Sequence, residues 1–146
     1  MQYPEVTVGA LIFNKEGKLL ICKSHKWDNK YVIPGGHIEY GEKIKDALKR
    51  EILEETNLKV YDIKLLSINE NILDNEFHQD KHFIFLDFIC KSKSSKVSLN
   101  DEAQSFKWVD LEKIEKYNIG NMLKKLIKEI KKGDKSNFKT EIIYGY

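Results

Sequence analysis

The stretch from Lys43 to Thr56 constrains this chain more than any other. It contains no Gly or Pro and is rich in helix-forming residues, so it predicts a helix. At about 100° per residue, Ile44, Ala47 and Leu48 fall on one side, and Glu51, Glu54 and Glu55 continue along that side. A stripe that should enter the core therefore turns acidic. Carboxylates at this spacing repel one another by roughly 0.2–0.5 kcal/mol per pair even in water. Glu54 and Glu55 also sit in the last turn, where the helix dipole disfavours negative charge. Burial would raise the cost unless a cation is present. A purely solvated acidic face is the plainer reading, but the side shared with Ile44, Ala47 and Leu48 argues against it. Hard oxygen donors without Cys or His suit Mg²⁺, or Mn²⁺ in its place, rather than zinc. Arg50 is the one fixed cation beside the cluster, and its planar fork can hold a carboxylate in place.

The residues before this helix add a second signal. Pro34-Gly35-Gly36 ends a short strand-like run, Tyr31-Val32-Ile33, and Gly41 follows. Such glycines let backbone turn tightly and approach a ligand, and their peptide groups can face a metal or a phosphate. Just after the helix, Asn57 can take the left-handed cap usually given to Gly. Elsewhere, Val6–Phe13 and Lys18–Lys23 flank the turn Asn14-Lys15-Glu16-Gly17 and predict a hairpin. Val60–Asn69, His82–Cys90 and Phe106–Val109 read as strands, Leu111–Lys116 as a helical turn, and Ile119–Lys132 as an amphipathic helix. Ser24–Lys30 and Glu70–Lys81 are polar loops, and Thr140–Tyr144 is a candidate edge strand in the tail 133–146. No repeat or linker divides residues 1–146, so one domain is expected. Strands and helices alternate without βαβ regularity, which predicts an α+β layered fold.

Net charge is +2 over 146 residues, so the overall field excludes little. Lys124, Lys125, Lys128, Lys131 and Lys132 crowd the last helix, as a solvated face or, in a sharper reading, as a polyanion-attracting surface. The longest apolar run, Phe83–Cys90, contains Asp87 and is too short to span a bilayer. No signal-peptide pattern opens the chain, so the expected address is cytoplasmic. Cys22 and Cys90 lie in strand-like runs without partners at ligand spacing, and are expected to be reduced and buried.

Residues 36–58, GHIEYGEKIKDALKREILEETNL, resemble the Nudix box: Gly36, five residues, Glu42, seven residues, then Arg50-Glu51-Ile52 and Glu54-Glu55, closing on Leu58. Eight of nine defined positions match over 23 residues, and the departure is Asn57 where the family has Gly. Asn tolerates the left-handed conformation, so the turn should survive. The resemblance implies a Nudix-type α/β/α sandwich around a central mixed β-sheet. It also implies a Mg²⁺-dependent hydrolase that cuts a phosphoanhydride bond of a nucleoside diphosphate linked to a further group. By the same resemblance Glu51, Glu54, Glu55 and the Gly35 carbonyl hold metal, while Glu42 and Arg50 orient the helix and its carboxylates. A further acidic ligand or base comes from a late loop, with Glu102 the candidate and Asp101 the alternative. Either Glu51 or Glu102 takes the proton from water.

For the substrate, Gly36–Glu42 is similar to the box version of nucleoside triphosphate hydrolases, which points to a (d)NTP cut to monophosphate and pyrophosphate. The stretch Lys59–Lys116 lacks Pro, and its one Tyr, Tyr61, lies too near the box, which disfavours ADP-ribose, NADH and dinucleoside polyphosphates. Trp27 and Phe83 are candidate base-stacking residues, with Tyr31 and Phe77 behind them. His37 and His78 are candidate substrate contacts. Three other readings are an ADP-ribose or nucleotide-sugar hydrolase, an RNA 5′-end pyrophosphohydrolase, and a non-catalytic nucleotide-binding module. The third would need box carboxylates to be lost, and none is. A small-molecule nucleotide is the expected partner, with no membrane and no nucleic acid; a homodimer stays open.

Overall fold

The computed structural model describes residues 2–133 and 142–145. Seven strands and two α-helices form three layers: β1 (Glu5–Phe13), β2 (Leu19–Ser24), β3 (Lys30–Val32), β4 (Gly35–His37), α1 (Ile44–Thr56), β5 (Val60–Ile72), β6 (His82–Ser92), β7 (Ser105–Val109) and α2 (Asn121–Lys132). Two 3-10 turns, His25–Trp27 and Leu111–Lys116, complete the order. The sheet is mixed. It runs β3-β2-β1-β6-β5, with β1 parallel to β6, and with β4 joined to β1 and β7 to β2.

Alternation along β1 explains the layers. Val8, Ala10 and Ile12 pack with Ala47, Leu48 and Ile52 of α1. Leu11, on the other face, packs with Leu19, Ile21, Leu123, Leu126 and Ile127 under α2. Each helix thus covers one face of a sheet buried on both sides. Cys22 and Cys90 are buried in the α1-side core, and burial pushes both thiols up to about 12. The lysines of α2 are exposed, as a solvated face would be.

Four expectations change. The hairpin over residues 6–23 closes on a single pair, Phe13↔Leu19. Beyond it β2 leaves β1 and pairs with β3 and β7. The freed edge of β1 is taken by β4, with Thr7↔His37, Val8↔Gly36 and Gly9↔Gly35 in register. Pro34-Gly35-Gly36 therefore does more than stop a strand, because its glycines begin the next one. A side chain at Gly35 would overlap the Val8 carbonyl, so only Gly permits this approach. β5 runs on to Ile72 and carries register shifts near Tyr61–Lys64 and Leu65–Ser67. The expected edge strand at 140–144 lies partly outside the described residues. Residues 142–145 have no strand conformation, and Ile142 packs against the α1-side core.

One long-range contact fixes α2. Its N-cap, Gly120, has no side chain to cap with. Glu76, buried in the β5–β6 loop, supplies the cap instead: its Oε1 accepts from the Asn121 backbone N–H at 2.8 Å, and its Oε2 pairs with Lys30. Glu76→Ala should destabilise the fold by about 1–3 kcal/mol, as expected for a lost charged cap with the donor left behind. Chemical denaturation measures it, and an unchanged midpoint would contradict the capping role.

Candidate functional site

Where β2 diverges from β1, the sheet opens and a cavity of about 270 Å³ passes through the gap. Glu51, Glu55 and Glu102 line one end with Gly35, Gly36 and His37. Trp27, Phe77, Phe83 and Phe85 line the other, and Leu123 and Leu126 of α2 form part of the wall.

The acidic end is built by α1. The three glutamates do not share one direction as the helical spacing suggested. Glu55 is buried, Glu51 is partly buried, and Glu54 is exposed. Ile52 and Thr56 are fully buried and turn the core-facing line toward themselves. At about 100° per residue that line passes near Leu48 and Glu55, leaving Glu51 on its flank and Glu54 well round toward solvent. Asn57 adopts the left-handed conformation, φ 63°, and its N–H caps the Leu53 carbonyl at 2.9 Å, so the departure from the box leaves the turn intact.

Arg50 organises this end. Its Nε and Nη2 donate to the two oxygens of Glu42 at 2.7 and 2.9 Å. Nη1 donates to Glu51 at 3.0 Å and to Glu54 at 3.3 Å, and Nη2 also reaches the His37 carbonyl at 3.0 Å. The guanidinium holds the Glu42 carboxyl down at about 2, helped by the Glu39 N–H. Glu51 fits against the chain because Gly36 has no side chain; a Cβ there would overlap its carboxylate.

Glu55 is treated differently. The Gly35 N–H donates to its Oε2 at 3.1 Å, and no cation pairs with it among the described residues. Burial pushes its carboxyl up to about 8, with further upward pressure from Glu51 and Glu102 and a downward pull from the Gly35 N–H. Glu102, in the β6–β7 loop, is exposed and pairs with Lys26 Nζ at 2.8 Å at the cavity mouth. Among the described residues no three carboxylate, His or Cys side chains converge as a ready-made metal cage. The donor chemistry nonetheless suits a hard divalent cation. A buried carboxylate with no paired cation among the described residues stands beside a second, Arg50 holds the outer ones, and the clustered donors on α1 are carboxylate oxygens.

At the aromatic end, Trp27 lies 4.6 Å from Phe77 and 6.2 Å from both Phe83 and Phe85, ring centre to ring centre. Phe83 is buried, 5.0 Å from Phe77 and 5.2 Å from Phe85. His37 sits between the two ends, exposed, with Nε2 2.8 Å from Glu5. His78 is not brought in: its ring is exposed against Phe77, and its backbone N–H bonds the Lys26 carbonyl. Tyr31 packs edge-on to Tyr117 on the α2-side core, away from the cavity.

Two polar residues of this end were not singled out from sequence. Asp87 of β6 is 2 % exposed; burial pushes its carboxyl up to about 6, against the pull of Asn69, whose Nδ2 donates to Oδ2 at 2.6 Å. Thr7 of β1 is also buried, and its hydroxyl has no hydrogen-bond partner among the described residues. An Asp inside the apolar run 83–90 was the available signal for the first. Nothing marks the second in a β-branched strand.

Comparison with known proteins gives a consistent result. The NUDIX domain family model matches residues 3–130. "Nucleoside triphosphatase NudI" of Salmonella paratyphi B is 31% identical over 125 residues, spanning 77% of this chain and 87% of that protein. Among solved structures, a MutT protein from Methanosarcina mazei Go1 superposes with a TM-score of 0.74 at 24% identity, covering 90% of this chain and 96% of its own. The NUDIX domain of Shewanella oneidensis NrtR, complexed with ADP ribose, gives 0.75 at 16% identity, covering 90% and 89%. With its box, mixed sheet and cavity in register with that match, the chain belongs to the Nudix family of hydrolases, which act on pyrophosphate bonds.

Proposed function

We propose that this enzyme hydrolyses nucleoside triphosphates to the monophosphate and pyrophosphate with a divalent cation, Mg²⁺ or Mn²⁺. The observation that carries the reading is a single cavity lined both by the carboxylates of Glu51, Glu55 and Glu102 and by a cluster of aromatic rings, Trp27, Phe77, Phe83 and Phe85. A triphosphate and a nucleobase need those two environments within one molecule's reach. The 31%-identical relative named as a nucleoside triphosphatase points the same way.

In this reading Glu51, Glu54, Glu55 and the Gly35 carbonyl hold the cation, with Glu102 joining from its loop. When bound, the cation would supply neutralisation of phosphate charge and ease the loss of a proton from water. Arg50, anchored on Glu42 and the His37 carbonyl, keeps Glu51 aimed at the cavity. Glu55 must lose its proton before it can serve as a ligand. Glu51 or Glu102 accepts the water's proton as the phosphoanhydride bond breaks and the pyrophosphate leaves. Trp27 and Phe83 stack on the base and His37 contacts the substrate between the two ends.

The test is a panel of ribo- and deoxynucleoside triphosphates, ADP-ribose, nucleotide sugars and triphosphorylated RNA. We expect pyrophosphate and monophosphate from triphosphates with Mg²⁺ or Mn²⁺, and none with chelator. Release only from ADP-ribose or a nucleotide sugar, or a preference for RNA that collapses with added salt, would replace the proposed substrate. The lysines of α2 do not line the cavity, so the RNA outcome has no support at the site. No hydrolysis of anything in the panel would reject the reading.

A further inference from the structure

The aromatic end of the cavity has a polar floor. β1 and β6 run parallel there with Thr7↔Phe85 and Gly9↔Asp87 in register, so Thr7, Gly9, Phe83, Phe85 and Asp87 all face the α2 side. Burying a carboxylate beside phenylalanines is costly and is tolerated only where something compensates. The compensation visible is partial. Asn69 donates to Oδ2 and is itself held by Ser67, 3.0 Å from its Nδ2, while no bond from the protein reaches Oδ1 among the described residues. Gly9 lets Oδ1 lie close against the β1 backbone, for a Cβ there would stand 2.5 Å from that oxygen and 3.0 Å from Ile33 Cδ1. Thr7, 5 % exposed, lines the same cavity, and its buried hydroxyl has no hydrogen-bond partner among the described residues. A floor with one carboxylate oxygen and one hydroxyl unpartnered among the described residues, beside a cluster of tilted and edge-on rings, is unsatisfied as it stands.

Resting on the nucleotide reading above, we propose that Asp87 is the specificity-determining residue of this enzyme: its free oxygen accepts a hydrogen bond from the exocyclic amine of the nucleobase, with Thr7 as a second polar contact. The matching substrates carry cytosine, adenine or guanine. Uracil and thymine present carbonyl oxygens where those bases carry an amine, and a carboxylate oxygen facing a carbonyl leaves two acceptors opposed without a proton between them. Sites built around a buried hydrogen-bonding group reject ligands that cannot complete it much more strongly than apolar pockets reject misfits. Asn69 is a positioning residue, since it fixes which carboxylate oxygen stays free.

The experiment measures kcat/KM for the five common bases as deoxynucleoside triphosphates, in the wild type, Asp87→Asn and Gly9→Ala, with circular dichroism checking that each variant folds. We expect the wild type to favour amine-bearing bases at least about tenfold over thymine and uracil. Asp87→Asn offers an N–H to a carbonyl as readily as a C=O to an amine, so the ratio should fall toward one. Gly9→Ala keeps the charge but pushes the carboxylate aside, and should lower the ratio without abolishing turnover. Should either variant fail to fold, the wild-type ratio and the remaining variant decide. A wild type indifferent to the base, or a ratio unmoved by a folded variant, overturns the proposal while leaving triphosphate hydrolysis standing. A wild type that hydrolyses no nucleotide removes the reading beneath it.

Discussion

Glu55→Gln should abolish turnover and, in the absence of divalent cation, make the protein harder to melt. Glu55 is 8 % exposed, and its carboxyl rises from an ordinary 4.5 to about 8, first through burial and then through Glu51 and Glu102. A carboxyl raised on folding contributes stability that is fully present below about pH 4.5 and lost as pH climbs through about 8. At pH 8 the metal-free wild type therefore carries a destabilising demand that glutamine, which can still accept from the Gly35 N–H, does not make. The variant's advantage should be absent at pH 4, grow through neutrality, and reach roughly 2–4 kcal/mol by pH 9.

If Glu55 is a metal ligand as proposed, the same group links metal to protons. Cation binding at pH 7 requires Glu55 to ionise, so Mg²⁺ binding should release close to one proton, visible as calorimetric heat that varies with the buffer. Glu55→Gln should remove that dependence and lower turnover by about 10³-fold or more, the scale expected when an essential electrostatic group is lost. A variant that melts below the wild type at pH 8 without metal, or that keeps its turnover, would rule out this role for Glu55.

How much of this could be read in advance depends on whether the cause is local. The α1 helix, its acidic content and the Asn57 cap are decided within a few residues, and all three follow from spacing and propensity. The directions of Glu51, Glu54 and Glu55 were only half legible. Ile44 suggested one core line, whereas Ile52 and Thr56, buried by the sheet, set another. The Gly-Gly turn was legible as a turn but not as β4, because its partner is β1, more than twenty residues earlier. The same competition undid the β1–β2 hairpin, whose turn chemistry was sound but whose edge was taken. Glu76 capping a helix forty-five positions away leaves no trace in local pattern. Asp87 did leave one, a charge inside an apolar strand, but only the fold shows that it faces a cavity together with an unpartnered Thr7.

Arg50→Lys should cost nearly as much activity as Arg50→Ala, because the site uses the shape of the guanidinium and not only its charge. Arg50 bridges both oxygens of Glu42, one of Glu51, one of Glu54 and the His37 carbonyl. An ammonium is a point donor and cannot span that set. Once it is gone, Glu51 loses its aim, and a misplacement of about 1 Å at a reacting centre is worth on the order of 10²-fold in rate. We expect kcat to fall by about that factor in both variants, with the Mg²⁺ concentration for half-activation rising and the nucleotide KM little changed. A purely structural Arg50 would instead leave the metal requirement of the surviving enzyme unaltered. A second readout isolates the Glu42 end, which lies outside the cavity and so gains nothing from added cation. In the wild type that carboxyl is held near 2, and a depressed carboxyl gives stability that is present above about pH 4.5 and lost as pH falls through about 2. Arg50→Ala should raise the Glu42 titration, followed by carboxyl-carbon NMR, most of the way toward the ordinary 4.5, with the Glu39 N–H keeping a remainder, and remove most of that margin of acid resistance. If Lys at position 50 restores both kcat and the low Glu42 titration, charge alone suffices and the fork has no special part in the site.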